Sequence, residues 1–302
     1  MKHTLELDKA LSELKKITGI SLDVHAENAE EEELALEQIR SLSLAYKEKF
    51  NKSFFLHSLM TENRPIHDIS KRASQLHIEH ELPRVLLLVE TKTMLDDTVM
   101  QVLKNLFPSQ SKTHLVSMSE KSVVLLHPIK ASENEQDMSH LARMIVDTLN
   151  MEALTPVHVA YSQTADTLAG LSNAFRETCL ALSVGKLFCA GQTVFSSRRL
   201  GVGGLIYQLP LDVCTNFLRE VFGSDIPKSF DEETTIAINT FFHNNLNIAE
   251  TSRQLHMHRN TLIYRLEQIE KRTGLDIRKF EDAMTFKIAT MVLSHLHAER
   301  DF

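Results

Sequence analysis

Five side chains between residues 260 and 268 have the chemistry to read the edges of DNA bases: Asn260, Thr261, Tyr264, Arg265 and Gln268. Arginine can donate two parallel hydrogen bonds to guanine, and asparagine or glutamine can pair bidentately with adenine. Thr261 and Tyr264 suit phosphate oxygens or a thymine methyl. Arg253, Arg259 and Arg272 have the charge and reach to clamp phosphates. On a helix, Asn260, Thr261, Tyr264, Gln268 and Arg272 share one arc, with Arg265 at its flank. Leu262, Ile263, Leu266 and Ile269 gather on the opposite arc, where they can hold such a helix on its own domain.

These side chains require two short helices and a tight turn. Asn247 is a good N-cap, and Glu250 three residues later completes the pattern of a capping box. Ala249, Ser252 and Leu255 are the expected inward contacts of the first helix, over 248–255. His256-Met257-His258 makes the turn, with Met257 as its core plug. The second helix covers 259–272 and stops at Gly274, a natural left-handed position. Preceding and following helices are expected over 232–243 and 279–298, the last bracing the domain through Phe280, Met284, Ile288 and Met291, with His295 at the edge of that face. From Arg253 to Lys279 there are seven bases and three acids, a balance of +4 on a chain of formal charge -7. A local basic reader on an acidic carrier fits that distribution, whereas non-specific wrapping of nucleic acid does not.

Other chemistry finds little footing. His256 with His258, and His295 with His297, are spaced by two but have no convincing partners, so no metal site is expected. Gly201-Val202-Gly203-Gly204 lacks the Lys-Ser/Thr of a phosphate loop and reads as a flexible joint into a helix over 205–209. No serine sits in a nucleophile elbow. The three cysteines (Cys179, Cys189 and Cys214) form no cluster, which suggests a reducing compartment. With no apolar export segment and no run near 18 apolar residues, the expected location is cytoplasmic, without membrane insertion.

Upstream, residues 1–80 read as a helical dimerisation or linker region. Helices are expected over 4–18, 30–60 and 66–78. In the second, Leu36, Ile39, Ser43, Tyr46, Phe50 and Phe54 recur at spacings of three and four. No neighbouring segment obviously covers this stripe, so packing within the domain and pairing with a second copy both remain open. Residues 82–198 alternate: strand 84–90, helix 93–106, strands 113–118 and 122–127 joined as a hairpin, helix 137–149, strand 156–161, helix 165–184, and a last strand from Val194. The fold class is therefore α+β multidomain: N-terminal helices, a central α/β sandwich over 82–198, and an all-α helix-turn-helix region over 205–302 with its core at 232–298.

The run from Asn247 through Ala289 resembles the C-terminal helix-turn-helix of the PucR/CdaR family of bacterial transcriptional regulators. The likeness is strongest at His258-Arg259-Asn260-Thr261-Leu262-Ile263-Tyr264-Arg265-Leu266, then at Ile269 and Thr273-Gly274-Leu275-Asp276. Met257 stands where that family more usually has valine. Residues 82–198 are compatible with the degenerate GGDEF fold often central in that family. The candidate hairpin turn here is Ser119-Glu120-Lys121-Ser122, and the Gly-Gly-acid-acid-Phe run of a nucleotide cyclase is missing. The resemblance implies a non-enzymatic, sequence-specific regulator that binds double-stranded DNA and needs no cofactor. Because one small reader rarely suffices, a homodimer or higher homo-oligomer is expected, with room for a small-molecule effector. The alternative is a non-catalytic ligand-binding or assembly module whose helical C-terminus does not bind DNA.

Overall fold

A computed structural model describes residues 2–24, 28–62, 65–189, 191–223, 227 and 231–300. The side chain of Phe50, in the expected apolar stripe, lies outside the described residues. Two compact units form, Met1–Ser183 with Gly191–Arg199, and Val184–Ala190 with Leu200–Phe302.

The first unit begins with α1 (Lys2–Thr18), α2 (Ala29–Phe50), α3 (Lys52–Thr61) and α4 (Ile66–Gln75). The single helix predicted over 30–60 is broken at Asn51. Its side chain accepts a hydrogen bond from the Phe54 amide at 3.1 Å and caps α3. A short polar side chain there offers the backbone a better partner than a continuing helix does. The apolar stripe finds cover within the chain: Leu36 and Ile39 of α2 pack with Leu7, Ala10 and Leu14 of α1. Ser43 is buried too, while Tyr46 and Phe54 are half-buried.

The rest of this unit is β1 (Arg84–Thr91), α5 (Asp97–Leu106), β2 (His114–Ser119), β3 (Ser122–Pro128), α6 (Glu135–Glu152), β4 (Val157–Tyr161), α7 (Leu171–Phe188) and β5 (Val194–Ser196). The strand order is β2-β3-β1-β4-β5, antiparallel except for β4 beside β5. Almost every residue of β1 is buried, as its unbroken run Val85-Leu86-Leu87-Leu88-Val89 requires of a central strand. Alternate residues Val85, Leu87 and Val89 join Val123, Leu125 and Val159 under α5 and α6. A capping box at Asn134 and Asp137 fixes the start of α6.

The second unit holds the last turn of α7, then α8 (Gly201–Tyr207), α9 (Leu211–Phe222), α10 (Glu232–His243), α11 (Ile248–Gln254), α12 (Arg259–Thr273) and α13 (Phe280–Arg300). The glycine run is not a joint before a helix. It forms the first turn of α8, with Gly203 and Gly204 buried. A Cβ on Gly203 would lie 2.9 Å from the Phe188 ring and 3.1 Å from Val184, so glycine here permits close packing. The predicted inner face of α13 is rotated. Phe280 and Met284 are exposed, Ile288 and Met291 are half-buried, and Ala283, Phe286, Ala289, Val292 and Leu296 are buried. His295 is buried rather than at an edge, its ring 5.1 Å from that of Tyr207.

Candidate nucleic-acid interface

Three helices share one core: Ala237, Ile238 and Phe241 from α10, Leu262, Leu266 and Ile269 from α12, and Ala283 and Phe286 from α13. Ile248, Leu255 and Met257 pack at its margin. Three of the four apolar residues assigned to the inner arc of α12 are fully buried, and Ile263 is half-buried. Burial of a Leu or Ile side chain contributes about 1.5–3 kcal/mol, so this arc fixes the rotation of α12 about its axis.

The preceding helix is set by its caps. Asn247 accepts from the Glu250 amide at 3.1 Å. The reciprocal half of the expected capping box is replaced, because the Glu250 carboxylate pairs with Arg253. Of the expected inward contacts of α11, Ser252 is buried and Leu255 packs against the core, whereas Ala249 is exposed and Thr251 is buried in its place. Asn244 ties the ends of α10 and α11 together through a 2.8 Å bond from its amide nitrogen to Gln254. The turn into α12 places His256 at φ 52°, and the Met257 amide donates to the Ser252 carbonyl at 2.9 Å. His258 caps α12, accepting from the Asn260 amide at 3.3 Å. Gly274 closes the helix at φ 75°, its amide bonded to the Glu270 carbonyl.

With the inner arc locked, the opposite arc faces solvent. Asn260, Thr261, Tyr264, Gln268 and Arg272 are exposed, Tyr264 by 60% of its surface. Thr261, Tyr264, Arg265, Gln268 and Arg272 line one side of a cleft of about 470 Å³; Asp231, Glu233 and Thr234 at the start of α10 line the other. Asn260 does not line this cleft. Arg265 is the least exposed of the candidate readers, and its Nη2 donates to Glu233 of α10. Arg259 is exposed at the first turn of α12, and Arg253 lies on α11 in its pair with Glu250.

Charge around the helix is more balanced than the sequence count suggests. Arg278 reaches Asp276 at 2.6 Å, Glu270 at 2.7 Å and Glu267 at 3.8 Å, and so pins the end of α12 to the loop before α13. The Arg278 hydrogen bond holds the Asp276 carboxyl below the usual aspartate range. Hydrogen bonds from Thr234 lower the Asp231 carboxyl likewise, with a smaller contribution from the Arg265 charge. Sequence reasoning missed Asp231, Glu233 and the Arg278 network. Glu233 lies 32 residues from Arg265, and no local pattern announces their meeting.

In the sheet unit, the turn between β2 and β3 is stitched to the loop after β1. The Thr91 amide donates to the Lys121 carbonyl at 2.9 Å, and the Leu95 amide to the Glu120 carbonyl at 2.7 Å. Burial, with help from the Glu90 charge, pushes the Cys179 thiol up to about 11, so it is a poor nucleophile. Among the described residues, no group of three or more His, Cys, Asp or Glu side chains is placed to hold a metal ion. No described helix is long and apolar enough to cross a membrane.

Comparison with known proteins connects both halves to established domains. Residues 236–292 match the PucR C-terminal helix-turn-helix domain, and residues 61–184 match the GGDEF-like domain. That second domain is degenerate here, since its hairpin turn reads Ser119-Glu120-Lys121-Ser122. The chain is 33% identical over 91 residues to the uncharacterized protein YsfB of Bacillus subtilis strain 168, covering 28% of this chain and 25% of that one. It is 26% identical over 134 residues to the purine catabolism regulatory protein of the same strain, covering 44% and 25%. Similarity to the carbohydrate diacid regulator of Escherichia coli strain K12 runs over 268 residues at 24% identity, covering 85% and 69%. The chain thus spans a quarter of the length of the first two relatives.

Proposed function

We propose that this chain, a regulator of the PucR/CdaR type, binds double-stranded DNA sequence-specifically by laying α12 in the major groove and so controls transcription. The observation that carries the reading is the division of α12: Leu262, Leu266 and Ile269 are locked in the core, which leaves Asn260, Thr261, Tyr264 and Gln268 exposed together. A recognition helix needs that arrangement, with the base-reading groups held rigidly by the scaffold behind them. In this reading Asn260, Thr261, Tyr264 and Arg265 approach base edges, Gln268 joins them deeper along the helix, and Arg253, Arg259 and Arg272 hold phosphates. The names of two relatives, a purine catabolism regulatory protein and a carbohydrate diacid regulator, support a regulatory role.

Two copies on repeated half-sites supply the affinity that one small reader lacks. The degenerate central domain and the N-terminal helices serve signal reception or subunit pairing, in response to a small metabolite. The test is binding of the purified protein to a library of genomic DNA fragments at near-physiological salt. The expected result is enrichment of a repeated motif that disappears in Asn260→Ala and Arg265→Ala. If a folded preparation enriches no motif, with and without added cell metabolites, the DNA reading is rejected and the helical C-terminus is an assembly surface instead.

A further inference from the structure

We infer that Glu233 is a positioning residue for base recognition: it holds Arg265 from behind and sets how strictly that arginine discriminates the base it meets. The inference rests on the proposed DNA-binding role of α12. It starts from an asymmetry in the pair. The Arg265 side chain is 26% exposed, while that of Glu233 is 75% exposed. The arginine therefore lies along the protein with its guanidinium directed across the cleft to the first turn of α10. Thr261, Tyr264 and Gln268 line the same cleft, so the anchored guanidinium sits among the other candidate readers.

The chemistry favours support from behind over simple neutralisation. A guanidinium carries five N–H donors in a rigid plane. One bond from Nη2 to Glu233 leaves enough donors for a bidentate contact with guanine O6 and N7. An unanchored arginine must give up much of its rotamer freedom on reaching a base, and this one gives up part of it before DNA arrives. Glu233 also brings a negative charge close to the path of the phosphates. It should therefore weaken binding to every sequence slightly while sharpening choice among sequences. Those opposite signs distinguish positioning from a structural role. A bond that only stabilised the fold would move all affinities in one direction.

The experiment uses the whole chain described above, as wild type, Glu233→Gln, Arg265→Ala and the double variant. Binding is measured to double-stranded oligonucleotides carrying the enriched site, each single base-pair change within it, and an unrelated sequence. Glu233→Gln should lower discrimination at one base pair per half-site by roughly three- to tenfold, the share of arginine freedom one anchor removes. It should raise affinity for unrelated DNA by about twofold, as loss of one nearby screened charge would. Arg265→Ala should abolish preference at the same base pair, and adding Glu233→Gln to it should change discrimination no further. Unchanged discrimination in Glu233→Gln overturns the inference. So does a gain in affinity for the cognate site that equals or exceeds the gain for unrelated DNA, since Glu233 would then be a competitor for Arg265. If Arg265→Ala keeps full preference, the arginine assignment falls and Glu233 falls with it. If the wild type selects no site at all, the DNA-binding reading fails before Glu233 is reached. A melting temperature within about a degree of wild type is expected for Glu233→Gln, because an exposed ion pair contributes little to stability.

Discussion

Replacing Leu266 with alanine removes the side chain beyond Cβ from the middle of the C-terminal core. Leu266 is 1% exposed and shares that core with Phe241 of α10 and Phe286 of α13, each fully buried. At about 0.8 kcal/mol per methylene-sized group, the lost transfer energy is about 2.4 kcal/mol. The two aromatic rings are held by separate helices and cannot both collapse into the space, so a cavity term brings the total to about 4 kcal/mol, inside the range of about 2.7–5.0 for such changes. A domain with about 5–15 kcal/mol of stability survives this, but marginally. The assay is amide hydrogen exchange of the full chain, read peptide by peptide so that the two units are followed separately. A loss of about 4 kcal/mol corresponds to roughly a thousandfold fall in protection across α10, α12 and α13. Peptides of β1 and β3 should keep theirs. Tyr264→Ala, on the exposed arc, should leave protection unchanged throughout while removing sequence-selective DNA binding. Equal protection of α12 in Leu266→Ala and wild type would refute the packing that fixes the reading face. Equal loss in the sheet would refute the separation of the two units.

Two further outcomes follow from packing and charge. Gly203→Ala should lower the melting temperature, because a Cβ at 2.9 Å from the Phe188 ring costs about 1–3 kcal/mol, more than the roughly 1 kcal/mol gained in helix propensity; a higher melting temperature rejects this contact. Burial holds the His114 and His127 imidazoles below their ordinary range, with Arg84 and Lys52 adding to the effect at His114 and Glu133 opposing it at His127. The unfolded chain then binds more protons than the folded one as pH falls below about 6.5, so the sheet unit loses stability on acidification from that point. His127→Asn should reduce the difference in exchange protection of β1 and β3 between pH 7 and pH 5.5, and an unaltered difference would remove His127 from the account.

How much of this was legible in the sequence depended on whether the signal was local. The caps at Asn247 and Gly274, and the polar arc opposite Leu262, Leu266 and Ile269, are set within a few residues, and α10 and α12 lie where periodicity and caps put them. The inner face of α13 was not legible. Phe280, Met284, Phe286, Ile288, Met291, Val292 and Leu293 give that helix apolar residues on nearly every side, so periodicity could not fix its phase. The small side chains Ala283 and Ala289, now in the core, mark where neighbours come close. The break at Asn51 was a local capping choice hidden inside a long apolar rhythm. Glu233 gave no signal at all, because its role arises only when α10 and α12 pack.

In the proposed DNA-binding role, the balance of charge sets how the chain would obtain its affinity. Of the seven bases between Arg253 and Lys279, Arg253 pairs with Glu250, Arg265 with Glu233, and both Arg278 and Lys279 with Asp276. Arg259, Lys271 and Arg272 are exposed on α12, and Arg253 is exposed on α11. If Arg253, Arg259 and Arg272 engage phosphates in each copy, the logarithm of affinity should fall with the logarithm of salt with a slope of about -2.7 per copy, or about -5 for a pair of copies on one site. Arg259→Ala should make that slope shallower by about 0.9 per copy. So shallow a dependence leaves base contacts and the pairing of two readers to supply most of the binding energy. A measured slope near -10 would contradict this, because it would require about twice as many phosphate contacts per copy. A slope near zero would mean that the exposed arc of α12 does not lie against DNA.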